Sequence, residues 1–118
     1  MQDLYAERAE LFDALMAEVR TLKTSGCQYA ENEAEYRKAL AVAILEERDG
    51  NTPVTIVGDI CRGREDIAEK KRLRDCSRAL YVASGESINA IKLKIRTVEE
   101  DIRRMWSSGG GAGEGTYL

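Results

Sequence analysis

Histidine is absent from the 118 residues. That removes the commonest general base and the commonest metal ligand. Proline occurs once, phenylalanine once and tryptophan once, and aromatic residues make up 6% of the chain. Such a composition suits long amphipathic helices better than a thick globular core. No apolar run approaches the roughly 18 residues of a membrane span. The longest nearly uncharged stretch, ALAVAIL at 39–45, is far too short. The start, MQDLYAERAE, is acidic and lacks the basic lead and apolar centre of a signal peptide. The expected setting is a cytoplasm, with no membrane partner. Three cysteines, Cys27, Cys61 and Cys76, are widely spaced and form no C-x-x-C pair. Free thiols acting as small apolar fillers are expected, and neither a metal site nor a cofactor is.

What is present is charge, at 33% of residues, with a net balance of −3. Its distribution is uneven. Residues 1–59 carry 12 acids against 6 bases, whereas 60–118 carry 9 against 12. Opposite halves suit a chain that folds back on itself or meets its own copy.

Asp3 is placed to cap a first long helix over about 3–49. Leu15, Val19, Leu22, Gly26, Tyr29, Tyr36, Leu40, Ala43 and Ile44 then recur at helical spacing. The stripe keeps its phase through Gly26, so the helix is expected to continue there. Gly50 is the expected left-handed cap. A second long helix is expected over about 64–106, opening on the acids of RGREDI. Ile88, Ile95 and Ile102, with Ile91, Val98 and Met105 three residues after each, form an a/d seam. The same frame read backward gives Ile67, Arg74 and Tyr81 with Lys70, Ser77 and Ser84, which is far more polar. An adjacent stripe, Leu73, Cys76, Leu80 and Ala83, is expected to take over, moving the seam around the helix near residue 84. The glycine-rich end, 107–118, reads as a flexible tail, with Tyr117 and Leu118 as residues that could dock.

Between the long helices lies a connector with the one proline. Thr52-Pro53 suits an N-cap followed by proline at N1, and Val54, Val57, Ile60 and Cys61 recur at helical spacing. A short helix over about 52–62 is favoured over a strand, although VTIV alone has strand propensity. The fold class is therefore all-α: a single domain, 1–106, built as a long antiparallel helical hairpin with a short connecting helix. Phe12, Met16, Leu45, Leu93 and Trp106 lie off any single stripe and need cover, so a homo-oligomer is expected.

The candidate binding residues are Arg62, Arg64, Lys71, Arg74 and Arg78, clustered around the start of the second long helix. They suit an anion or an acidic protein surface. Val54, Val57 and Ile60 are the alternative, apolar contacts. Glu65, Asp66, Glu69 and Asp75 interleave with the bases, which also fits a plain salt-bridged face. No aromatic cluster accompanies the bases in sequence, and the chain is acidic overall, so nucleic acid is possible but not favoured. Glu33 falls on the apolar stripe; a fold-back near residue 55 puts it opposite the seventies, within reach of Arg74 or Arg78. No catalytic residues stand out, and a binding protein is expected rather than an enzyme.

The stretches YAENEAEYRKAL (29–40), GNTPVTIVGDICRG (50–63), RDCSRALYVASGESINAIKLKIR (74–96) and IRRMW (102–106) resemble small proteins of tailed phages and prophages of Gram-positive bacteria. The resemblance implies a viral accessory protein acting in the bacterial host cytoplasm. Such a protein would counter host defence, by binding a host protein or sequestering a small anionic, nucleotide-like signal. Alternatively it would assist phage DNA replication or recombination, binding single-stranded DNA or a recombinase.

Overall fold

The computed structural model describes residues 3–114, with side chains to residue 108. The chain is all-helical, and no strand occurs among the described residues. Three helices follow in order: α1 (Leu4–Asp49), α2 (Val54–Gly63) and α3 (Glu65–Glu114). They form two compact units, one of Met1–Thr21 with Ser84–Leu118, the other of Leu22–Ala83.

The helix ends follow from local chemistry. Asp3 caps α1 as expected: its Oδ1 accepts the backbone N–H groups of Tyr5 and Ala6, each at 3.1 Å. At the other end the left-handed residue is Asn51, with φ 68°, and not Gly50. The turn carries one residue further because the Gly50 N–H still reaches Glu46 O at 3.2 Å. Asparagine tolerates the left-handed well better than most residues. The connector is helical, which settles the choice against a strand. Its N-cap is Pro53 rather than Thr52, whose hydroxyl turns back to Glu47 Oε2 at 3.3 Å. After α2, Arg64 is extended, with ψ 140°, and separates it from α3. α3 runs to Glu114, past the end expected near Trp106. Ser108 Oγ donates to Arg104 O at 3.0 Å, and adding residues to an existing helix costs far less than starting one. The last four residues, with Tyr117 and Leu118, lie outside the described residues.

In the Leu22–Ala83 unit, α1 and α3 run antiparallel. Asn32 meets Leu73 and Ser77, Glu33 meets Arg74, and Gly26 meets Tyr81. The core is Tyr36 and Ala43 of α1, Val57 and Cys61 of α2 and Ile67 of α3. Ala39, Leu40 and Ile44 pack against it. Ala43 is small, which lets α2 lie close.

That core decides which face of α3 turns inward, and it corrects the expected seam. With Ile67 buried, the same face seven and ten residues on carries half-buried Arg74 and buried Ser77. Leu73, Cys76, Leu80 and Ala83 point outward, with Leu80 65% exposed. Ser84 is buried as well, so the polar frame is the inward one and the seam does not move. Of the cysteines only Cys61 is a core filler; Cys27 and Cys76 are exposed.

In the unit formed by the two ends, Ile88, Ile95, Val98 and Ile102 are buried as the heptad predicts. Met105, the last expected seam position, is exposed. Trp106 Nε1–H donates to Tyr5 OH, and the Arg8 guanidinium lies 5.5 Å from the Tyr5 ring centre. Phe12, Met16, Leu45, Leu93 and Trp106 are all exposed.

Candidate functional site

The five cations singled out in the sequence fall into three environments. Arg64 is a staple. Its Nη1 reaches Glu46 Oε2 at 2.9 Å and Glu47 Oε1 at 3.7 Å, while Nη2 reaches Asp66 Oδ2 at 3.0 Å. It ties the end of α1 to the start of α3. The hydrogen bonds to Glu46 and Asp66 hold its guanidinium even more firmly charged than usual.

Arg74 is also engaged inside the fold. Its Nη1 lies 3.4 Å from Glu33 Oε2 and its Nη2 2.9 Å from Asp75 Oδ1. The guanidinium sits 4.5 Å from the centre of the Tyr36 ring, a favourable cation–π position. Burial pushes its pKa down, but Asp75 and Glu33 outweigh burial and leave it raised. Glu33 thus finds Arg74 and not Arg78, and it also accepts from Arg37 Nε at 2.7 Å. The Arg37 hydrogen bond, aided by the Arg74 charge and opposed by burial, holds the Glu33 carboxyl below its ordinary value of 4.5.

A pH dependence follows. A carboxyl with a lowered folded pKa adds stability above its unfolded value, and that contribution is lost as pH falls through the folded value. Asp66 and Glu69 are lowered too, each chiefly by its arginine, Arg64 and Arg72. The melting temperature is therefore expected to fall as pH drops below about 4.5. Glu33→Gln should flatten part of that fall, measured by circular dichroism across pH 3–7. An acid limb unchanged in Glu33→Gln would remove Glu33 from the account.

The other three cations face solvent. Arg62 pairs with Asp59, at 3.4 Å. Lys71 and Arg78 have no ion pair among the described residues. They lie two turns apart on α3 and line one open groove together with Arg74, Asp75, Ala79, Val82 and Ala83. A neighbouring groove carries Arg62, Lys71, Arg72, Asp75 and Cys76. Of the apolar alternatives, Val54 and Ile60 are exposed on α2, whereas Val57 points into the core and is unavailable to a partner. The α2 helix is short, so its one buried stripe consumes Val57 and Cys61.

Sequence reading missed the tyrosines. Tyr29 and Tyr81 stack, with ring centres 6.2 Å apart and planes at 29°. The Tyr81 ring lies against Gly26, where an added Cβ would stand 3.1 Å from Cε1. Tyr36 lies under Arg74, while Tyr29 and Tyr81 form their own stacked pair across the two helices. The fold-back that sets 33 opposite the seventies also sets 29 opposite 81, so the signal was present in the numbering.

No protein-family model, no curated protein and no solved structure matches this chain.

Proposed function

We propose that this chain is a non-enzymatic binding protein that takes a small anionic, nucleotide-like ligand on the outer face of α3. The observation that carries this reading is the pair Lys71 and Arg78. Neither is ion-paired with a carboxylate among the described residues, and both border a groove that Arg74, Asp75, Ala79, Val82 and Ala83 complete. Every other candidate arginine is at least partly neutralised by an acid of the chain. Two uncommitted cations on a rigid helix meet a phosphate-bearing ligand without first breaking internal ion pairs.

In this reading the protein is a phage accessory protein of the bacterial cytoplasm, sequestering a defence signal or covering a host protein. It works as a homo-oligomer. The outward Leu73 and Leu80 of α3, with Leu45 of α1, support self-association, since exposed apolar stripes of this kind mark contact surfaces.

Native mass spectrometry of the protein purified from bacterial cells tests both parts. A closed oligomer carrying a reproducible small extra mass is expected, and Lys71→Gln/Arg78→Gln should lose that mass while keeping the assembly. Each lost charge-assisted contact should weaken binding by roughly tenfold or more. An extra mass retained in the double variant would overturn the assignment of the site. A clean oligomer that instead captures a host protein through this face would replace the small ligand by a protein partner.

The second reading is an accessory of phage DNA replication or recombination that holds single-stranded DNA. The exposed Tyr81, three residues after Arg78 on α3, favours it, because bases stack on aromatic rings. It predicts affinity for an oligonucleotide that falls steeply with salt through counterion release. Salt-independent binding argues against it.

A further inference from the structure

The Tyr29–Tyr81 pair has no task in the anion reading. Tyr29 is half-buried, but Tyr81 keeps 39% of its surface exposed. Tyr81 also follows Arg78 by three residues, so the two side chains are neighbours on the helix surface. Lys71 precedes Arg78 by seven residues, about 10 Å along the axis. One exposed ring and two uncommitted cations thus follow one another along α3. Gly26 opposite the ring has no side chain, which lets the ring settle against α1 and hold its position.

We infer that Tyr81, backed by Tyr29, is the base-stacking element of the site, and that the ligand is a purine nucleotide whose phosphates reach Arg78 and Lys71. This rests on the anion-binding reading of Lys71 and Arg78 and adds the recognition of an aromatic base. Purines offer the larger π face, and a pre-placed ring binds one without the cost of ordering it. Arg74 lines the same groove but is already engaged by Glu33 and the Tyr36 ring.

The test compares two probes of matched charge pattern, ATP and inorganic triphosphate, by isothermal titration calorimetry with the full chain in magnesium-free buffer. ATP is expected to bind at least about fivefold more tightly, the lower end of what one stacked base supplies. Tyr81→Phe should keep that advantage, and Tyr81→Leu should abolish it without changing triphosphate affinity. Gly26→Ala pushes on the ring and should shrink the advantage. If Tyr81→Leu does not fold, as judged by circular dichroism, the comparison of Tyr81→Phe with Gly26→Ala decides. Equal affinities for ATP and triphosphate, both lost in Lys71→Gln/Arg78→Gln, would overturn the stacking role and leave the anion site standing. If neither probe binds, both readings fall.

Discussion

Ile67→Ala is expected to lower the unfolding free energy by about 2–5 kcal/mol. The side chain is 1% exposed and belongs to a core to which all three helices contribute. Truncation removes buried methyl groups and leaves a cavity among Tyr36, Ala43, Val57 and Cys61. Backbone relaxation is restricted there, because the Arg64 staple pins the start of α3 to the end of α1. The melting temperature should drop on the order of 10 °C in a chain of this size. Leu80→Ala is the matched comparison. Leu80 is 65% exposed, and its loss should cost less than about 0.5 kcal/mol in a monomer. If copies of the chain cover the outer stripe, Leu80→Ala will instead lower the melting temperature in a concentration-dependent way. Thermal melts at two protein concentrations separate these results. A mild Ile67→Ala effect would mean that the three-helix core is not the stabilising centre.

Ser77→Leu carries the second large effect, and its sign opposes the sequence pattern. Leucine at a heptad core position ordinarily strengthens a helix pair. Here Ser77 is 5% exposed, its Oγ donates to Arg74 O at 2.9 Å, and it accepts from Asn32 Nδ2 at 3.2 Å. A larger side chain meets the Asn32 carboxamide, which crosses to α3 at this level and also bonds Leu73 O. Overpacking is expected to cost about 1–3 kcal/mol, and both hydrogen bonds of Ser77 Oγ are lost with it. Ser77→Ala, which keeps the space, should cost about 1 kcal/mol. Denaturant melts of the two variants check the order. A stabilised Ser77→Leu would show that the inward face of α3 has room, and that the polar seam is a matter of register alone.

That polar seam bears on function. Because Arg74, Ser77 and Ser84 turn inward, the basic positions next to them come to the flank of α3 and the leucines to its other side. The groove of Lys71 and Arg78 and the outer stripe of Leu73 and Leu80 are products of one helix rotation. Had the apolar stripe been the inward one, Arg74 would have left Glu33 and Tyr36.

The sequence by itself determined the helical class, the Asp3 cap, the helical connector and the Ile88–Ile95–Ile102 seam. Each depends on neighbours within a turn or two, where side-chain spacing, capping chemistry and backbone propensity act directly. It also narrowed the partner of Glu33 to two arginines, because an antiparallel fold-back is simple arithmetic. Tertiary structure decided the rest. Asn51 instead of Gly50 takes the left-handed position, since the path into α2 sets where the turn falls. Val57 left the list of contacts because α2 needed it for the core. Arg64 and Arg74 became internal because acids distant in sequence came within hydrogen-bonding range. Above all, the inward face of α3 was chosen by Ile67 docking among α1 and α2. Within the Leu22–Ala83 unit the helix then carries that choice on to Arg74 and Ser77, whatever their hydropathy.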